Sequence, residues 1–324
     1  MHEADLVLEG GGVKGAGLAG AVHELRESHR FDRVAGTSAG AIVAALVAAG
    51  LDDRLEDLTV ETDFSAFLDR GVLGSWLGLL GQSLDVLLRE GIYAGEALHR
   101  WIRDQLAAAG VHTFGDLRRP GATCRTPVQQ RYRLVVIVSD VSRGRMLRLP
   151  WDCEELLGCD PDTLSVADAV RASASIPFFF RPWRIAVAPE LAHGRRELVL
   201  TDGGMLSNYP IGLFDDEMER PTLGVKLSAR MPMSRQHWRD VDDPVTLAKA
   251  LVTTMTNAHD QIYVDQASVA SRTIFVDASG VSTTDFDLTD DQKAGLFRSG
   301  RRAATRFLDG WDFERWRAEY APAA

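Results

Sequence analysis

Two glycine-rich turns near the start of the chain, each lying between an apolar segment and a helical one, most constrain its fold. The sequence predicts a strand, a turn and a helix, and then a second strand, turn and helix, over Asp5–Glu9, Gly10–Gly15, Ala16–Ser28, Phe31–Ala35, Gly36–Gly40 and Ala41–Ala49. This alternation is typical of a parallel sheet with helices packed on it. We therefore predict an α/β protein with a three-layer α/β/α architecture and a mostly parallel central sheet.

The rest of the chain extends this pattern. Further strands are predicted at Tyr132–Ser139, Glu197–Thr201, Thr222–Lys226 and Thr273–Asp277. Helical segments are predicted over most of Leu51–Leu117, at Val166–Ser175, from Asp243 to about Ser268, and at Thr289–Leu308. No internal repeat or linker interrupts the sequence. We therefore predict a single domain over residues 1–324, with its motifs in residues 5–215 and a C-terminal extension over residues 240–324.

The composition excludes several classes of function. The formal net charge is −10, and an acidic chain gains nothing from the release of counterions, so nucleic acid is not expected as the main partner. The three cysteines are odd in number and lack C-x-x-C spacing, which argues against a disulfide framework or a zinc site.

The sequence also bears on location. Met1–Asp5 carries two acidic residues and leads directly into an apolar strand, so it does not resemble a secretory signal. No segment supplies the ~20 apolar residues of a membrane span. We expect a cytoplasmic protein that contacts membranes peripherally.

The second glycine-rich turn carries a candidate nucleophile. Gly36–Gly40, read GTSAG, fits the G-x-S-x-G pattern and places Ser38 between a strand and a helix. In such a turn the serine backbone is strained, and small neighbours leave its hydroxyl exposed at the carboxyl end of the strand. The positive end of the following helix favours a developing oxyanion. A tight turn without chemistry is the alternative.

The first glycine-rich turn has two interpretations. Gly10–Gly15, read GGGVKG, fits the dinucleotide-binding pattern G-x-G-x-x-G, which requires an acidic residue at the end of the next strand to bind ribose. That strand instead runs directly into the Ser38 turn. Alternatively, the amides of Gly11, Gly12 and Val13 form a nest for an oxyanion. Both turns are expected at the carboxyl edge of one parallel sheet.

A serine nucleophile needs a base. His193, His237 and His259 lie in no turn-like motif at a strand end, and only two strands precede Ser38, which does not fit the α/β-hydrolase order. Asp202, followed by two glycines, comes at the end of a predicted strand and is the other candidate. Taken alone, it also fits an ordinary Asp-Gly turn.

The spaced motifs together resemble the patatin-like phospholipase family. The similarity covers about residues 5–215 and rests on Gly10–Gly15, Gly36–Gly40, Asp202–Gly204, Arg171–Pro177 (RASASIP) and Thr113–Leu117 (TFGDL). Glu9 stands where many members have Asp, and Lys14 where many have Arg. The resemblance implies a Ser–Asp dyad without histidine, lipid acyl hydrolase activity and no required metal or cofactor. Some bacterial relatives of this family require an activating partner.

On this interpretation Ser38 attacks an acyl ester and Asp202 accepts its proton, with burial raising the basicity of Asp202. The amides of Gly11, Gly12 and Val13 hold the oxyanion. The remaining glycines of the motifs allow tight turns and close contacts; they are Gly10, Gly15, Gly36, Gly40, Gly203 and Gly204.

Two apolar segments bear on the substrate. Gly71–Leu80 forms either a cap that meets a lipid surface or an internal packed helix, and Phe178–Phe180 with Trp183 either lines an acyl pocket or fills the core. Two other functions stay open: a nucleotide-responsive module, and a non-catalytic lipid-binding protein on the same scaffold.

Overall fold

The structure is a computed structural model that describes residues 1–69, 91–215, 219–227, 241, 250, 254 and 266–320. Ten strands are present in this part of the chain: β1 His2–Leu8, β2 His29–Thr37, β3 Gly91–Tyr93, β4 Leu134–Asp140, β5 Arg145–Leu149, β6 Phe178–Phe180, β7 Trp183–Ala186, β8 Glu197–Asp202, β9 Thr222–Lys226 and β10 Thr273–Phe275. The helices are α1 Gly15–Leu25, α2 Ala39–Ala48, α3 Leu55–Glu61, α4 Glu96–Ala108, α5 Val128–Arg131, α6 Val166–Ser173, α7 Ala267–Ala270, α8 Asp290–Leu308 and α9 Phe313–Tyr320.

One large sheet organises the fold. Its strand order is β10-β9-β1-β2-β4-β8-β7, with β5 also paired to β4. The five strands from β10 to β4 are parallel, whereas β5, β8 and β7 are joined by antiparallel pairings. Helices flank this sheet, so the predicted α/β class with a mostly parallel central sheet is confirmed.

Alternating apolar residues give the sheet two buried faces. Leu6 and Leu8 of β1 belong to the large core that contains helices α1 and α2. Val7, between them, points to a second cluster that includes Ile137 and Tyr209. This period-two pattern is expected for a strand covered on both sides.

Several strand assignments from sequence were incomplete. β5 and β7 were not predicted, although Trp183 was named in the sequence as a pocket residue. β3 interrupts the stretch predicted to be mostly helical, and it pairs with β6 in a separate two-stranded sheet. Of the predicted helix from Asp243 to Ser268, the structure describes Ala250 and Thr254, which are both helical, and the start of α7. The Gly71–Leu80 segment, His237 and His259 lie outside the described residues.

The C-terminal segments are built onto the motif-bearing core. β9 pairs with β1, and helix α8 packs against α1 through glycines on both helices. A Cβ atom at Gly20 would lie 2.0 Å from the carbonyl oxygen of Phe297, and one at Gly300 would lie 2.0 Å from that of Gly17. Only glycine permits so close an approach of two backbones. The single-domain assignment stays a prediction.

Within the described ranges, no helix is both long enough and apolar enough to cross a membrane.

Candidate active site

The nucleophile turn and the aspartate turn meet because two strands converge end to end on one side of β4. The ladder between β2 and β4 ends where Thr37 pairs with Ile137. The ladder between β8 and β4 begins at the next residue of β4, where Asp202 pairs with Val138. Ser38 and Asp202 are therefore brought together at the junction. Asp202 is the carboxyl-terminal residue of β8, and β8 runs antiparallel to β4.

Glycine is required beside this junction. A Cβ atom at Gly203 would lie 2.3 Å from the carbonyl oxygen of Ile137 and 3.0 Å from the side chain of Thr37. The aspartate turn can approach the end of β2 only without a side chain at this position.

The backbone of Ser38 has the strained conformation that the motif predicts. Its φ is 52° and its ψ is −122°, values that cost a non-glycine residue roughly 1–3 kcal/mol. Small neighbours make the turn possible: a Cβ at Gly36 would lie 2.3 Å from the carbonyl oxygen of Gly40, and one at Gly40 would lie 2.4 Å from that of Leu8. Helix α2 begins at Ala39, so its positive end lies beside Ser38.

Asp202 is buried with few polar partners. Only 7% of it is exposed, and its Oδ1 accepts a hydrogen bond from the Gly204 amide at 2.8 Å. Burial raises the pKa of this carboxyl to about 6, against smaller lowering effects of hydrogen bonds from the Ser38 side chain and the Gly204 amide. A carboxylate with this pKa is a better proton acceptor than an ordinary aspartate.

The first glycine-rich turn is tied to the aspartate loop by Asn208. The Gly10 amide donates to the Asn208 carbonyl at 3.1 Å, and the Asn208 side-chain amide donates to the Gly10 carbonyl at 3.2 Å. On the other side, a Cβ at Gly15 would lie 3.1 Å from the Cβ of Ala39. These contacts place the glycine-rich turn beside the start of α2 and next to Ser38.

The three predicted oxyanion donors differ in their present partners. The Val13 amide donates to the carbonyl of Thr283 at 3.2 Å, whereas the amides of Gly11 and Gly12 donate to no acceptor within the described part of the chain. Thr283 packs directly on the turn, because a Cβ at Gly12 would lie 2.1 Å from its carbonyl oxygen. Gly12 also has a φ of 56°, which favours glycine.

An apolar pocket opens at Ser38. It encloses about 760 Å³ including its open mouth and runs between α1, α2, α3 and α4. Its lining combines Ser38 with aliphatic and aromatic side chains, among them Ile42, Leu46, Leu55, Leu58, Phe64, Phe67, Leu98, Trp101, Phe180 and Phe286. Such a lining suits a hydrocarbon chain.

The aromatic residues that were predicted either to line an acyl pocket or to fill the core take different positions in the structure. Phe180 lines the pocket and is buried, whereas Phe178 is exposed. Trp183 packs on His99, with ring centroids 5.1 Å apart. Phe286 was not predicted; it stacks on Phe179 with ring centroids 5.2 Å apart.

The other chemical candidates lie elsewhere. His193 is exposed and follows the short turn Pro189–Ala192. Among the described residues, no group of three or more His, Cys, Asp and Glu side chains could hold a metal ion. Cys153 and Cys159 are free thiols on the segment after β5, and Cys124 is exposed.

Comparison with known proteins gives one family match and two similar uncharacterized proteins. The sequence model of patatin-like phospholipases matches residues 6–215. The chain is 38% identical over 312 residues to the uncharacterized protein YqhO of Bacillus subtilis (strain 168). The aligned region covers 95% of this chain and 99% of that protein. It is 22% identical over 316 residues to the uncharacterized protein R571 of Acanthamoeba polyphaga mimivirus, over 91% of this chain and 90% of that protein.

A solved structure has a similar fold. VipD from Legionella pneumophila superposes with a TM-score of 0.54 and 18% sequence identity, over 95% of this chain and 67% of that chain. At this level of identity the likeness concerns the fold alone.

Proposed function

Because the chain belongs to the patatin-like phospholipase family, as its motifs predict, we propose that it is a lipid acyl hydrolase that uses Ser38 as nucleophile and Asp202 as base. One observation carries this proposal: a serine in a strained strand-to-helix turn lies beside a buried aspartate of raised pKa, at the mouth of an apolar pocket. Family membership supports lipid hydrolase activity, and this geometry supports the dyad.

In the acylation step the Ser38 oxygen attacks the carbonyl carbon of an acyl ester, and Asp202 accepts the hydroxyl proton. The negative charge that develops on the carbonyl oxygen is stabilised by the amides of Gly11 and Gly12, and by that of Val13 when it releases Thr283. The tetrahedral intermediate then collapses. The bond to the alcohol breaks, Asp202 returns its proton to the leaving oxygen, and an acyl-Ser38 ester remains.

The deacylation step repeats this chemistry with water. Asp202 accepts a proton from a water molecule that attacks the acyl-Ser38 carbonyl. The second tetrahedral intermediate expels the Ser38 oxygen, which takes the proton back from Asp202. The products are a free fatty acid and the regenerated enzyme, so atoms and charge balance without a metal or cofactor.

The pocket suggests how the substrate is oriented. The acyl chain lies among the apolar side chains beside α2, and the alcohol or head group leaves through the open mouth. Each methylene that becomes buried contributes about 0.8 kcal/mol. We propose that the substrate is the acyl ester of a membrane lipid, such as a phospholipid or lysophospholipid, and that the protein works peripherally at membranes in the cytoplasm. We also propose that an unidentified partner activates the protein, as the family resemblance implies.

Two measurements test this proposal together. A fluorophosphonate probe is expected to label the wild-type protein but not Ser38→Ala, and fatty-acid release from phospholipid vesicles is expected to fall at least about 10³-fold in that variant. Ser299→Ala is the matched control, because Ser299 lies on α8, donates to the carbonyl of Asp277 and is not among the residues that line the pocket. Unchanged fatty-acid release by a folded Ser38→Ala protein would falsify the proposal.

A nucleotide-responsive module is distinguished by direct binding. The β2 strand runs into Ser38 and offers no acidic residue to a ribose at its end. We therefore expect no binding of dinucleotides at the glycine-rich turn in equilibrium dialysis.

A further inference from the structure

The geometry points to Ser173 as a positioning residue for the nucleophile, an inference that rests on the proposed function. Ser173 ends helix α6 and is fully buried. Its hydroxyl oxygen accepts a hydrogen bond from the Ser38 amide at 2.8 Å. The same hydroxyl donates to the carbonyl of Ile137 at 2.6 Å. Ser173 therefore connects the nucleophile turn directly to the central strand β4.

The need for this connection follows from the sheet. Thr37 and Ile137 form the last pair between β2 and β4, after which Ser38 turns out of the sheet with a positive φ. The Ser38 amide and the Ile137 carbonyl thus lie at a break in the ladder between β2 and β4. A buried backbone group left without a partner costs about 1–3 kcal/mol. One serine hydroxyl can satisfy both groups because it donates once and accepts as well.

The same segment also holds the base. The amide of Asp202 donates to the carbonyl of Ser175 at 3.0 Å. The hydroxyl of Ser175 accepts from the Arg171 guanidinium at 2.6 Å, and that guanidinium also donates to the carbonyls of Ala94 and Gly95. Two residues apart on one short segment, Ser173 and Ser175 therefore contact the backbones of Ser38 and Asp202. This arrangement fixes the separation of nucleophile and base.

Removing the Ser173 hydroxyl is expected to affect the chemical step more than substrate binding. In Ser173→Ala, Ser38 keeps its side chain but its amide loses its acceptor, so the strained turn relaxes. A displacement of about 1 Å at a reacting group can cost on the order of 100-fold in rate. We expect kcat to fall about 10- to 100-fold while KM changes less than about twofold, because the Ser173 side chain is not among those that line the acyl pocket.

The matched control is Ser165→Ala, at the other end of the same helix. The Ser165 hydroxyl caps α6 by accepting from the Asp168 amide at 3.2 Å, and it touches neither Ser38 nor Asp202. Loss of such a cap typically costs about 1 kcal/mol, so this variant weakens α6 without touching the site. We expect Ser165→Ala to lower thermal stability but to keep kcat within about twofold of wild type.

The experiment measures four quantities in wild type and in each variant: kcat and KM for a soluble acyl ester, the rate of fluorophosphonate labelling of Ser38, and the rate of hydrogen exchange of the Ser38 amide. Ser173→Ala is expected to slow kcat and labelling by the same factor and to speed exchange at Ser38. Ser173→Cys, whose thiol is a weaker hydrogen-bonding group of similar size, is expected to lie between Ser173→Ala and wild type.

Three results would overturn the inference. The first is kcat and labelling in Ser173→Ala within twofold of wild type, or, where that variant does not fold, wild-type rates in Ser173→Cys. The second is an equal loss of kcat in Ser165→Ala. The third is a wild-type protein whose Ser38 does not react with the probe, which removes the proposed function and this inference together. The first two leave the proposed function standing, so the two failures are distinguishable.

Discussion

Asp202→Asn is expected to make the protein more stable at neutral pH while it abolishes the proposed catalysis. Asparagine keeps an Oδ1 atom that can accept from the Gly204 amide, so the turn is preserved. What it removes is a buried charge that has no cationic partner among the groups that shift its pKa. This buried charge lowers the free energy of unfolding of the wild-type protein at neutral pH.

The sign and size of this effect follow from the pKa of Asp202. Burial raises it from 3.8 to about 6, so the folded protein binds the proton more tightly than the unfolded chain does. The stability contributed by this group is therefore fully present below about pH 3.8 and is lost as the pH rises through about 6. A difference of 6 − 3.8 ≈ 2.2 in pKa corresponds to about 3 kcal/mol. The asparagine of the variant carries no charge and avoids this loss.

The assay is urea denaturation of wild type and Asp202→Asn at several pH values between about 4 and 8. The free energy of unfolding of the variant, minus that of wild type, is expected to rise by a little over ~2 kcal/mol from about pH 4 to about pH 8, because part of the ~3 kcal/mol effect is already present at pH 4, just above the unfolded pKa of 3.8. Contributions from other titrating groups cancel in this difference. A difference that does not change with pH would refute the reasoning about Asp202.

Asp116→Asn provides a control of opposite sign. Its carboxylate accepts from the amides of Thr113 and His112, and these hydrogen bonds lower its pKa. Such a group stabilises the fold above its unfolded pKa and loses that effect as the pH falls. The corresponding difference for Asp116→Asn is therefore expected to become more unfavourable, not less, as the pH rises.

The site supports three further predictions. The value of kcat/KM is expected to rise with pH with an apparent pKa of about 6, as Asp202 ionises, and a flat profile from about pH 5 to 7 would contradict its role as base. Gly203→Ala is expected to lower the midpoint of urea denaturation because its Cβ would lie 2.3 Å from the Ile137 carbonyl oxygen, and a midpoint equal to that of wild type would contradict the packing at the junction. Phe286→Ala is expected to lower kcat/KM for long-chain acyl esters more than for acetyl esters, since Phe286 lines the pocket, and equal losses for both would count against an acyl-binding pocket.

Much of the parallel core was predictable because local signals agreed there. The first strand, the two glycine-rich turns and the helices after them combine apolar periodicity with turn residues, and their observed bounds differ from the predicted ones by a few residues. Thr222–Lys226 was predicted with the bounds that the structure has. The prediction that both glycine-rich turns and the Asp202 turn form one site rested on the resemblance of several spaced motifs to the family.

What the sequence did not predict depends on long-range pairing. The direction of β8 is set by its partner β4 and leaves no mark in the residues of β8 itself. The contact of Thr283 with the Val13 amide uses a backbone carbonyl, which every residue possesses. Ser173 did lie in a segment that carried the resemblance, Arg171–Pro177, and its alternating serines were the available signal. Their partners became visible only with the position of β2 beside β4.

The position of β9 indicates that the part of the chain needed for folding extends beyond the part that carries the proposed catalytic groups. The family match ends at residue 215, but β9 begins at Thr222 and forms the second neighbour of β1. A fragment that stops at the end of the match would retain Ser38 and Asp202 yet leave β1 as an edge strand with unpaired amides and carbonyls. It would also lack Lys226 and the Leu227 amide, which donate hydrogen bonds to the carboxylate of Glu9, one residue before the glycine-rich turn. An exposed apolar edge of this kind promotes aggregation, so a fragment designed from the motifs alone would contain every proposed catalytic group and still be a poor choice for expression.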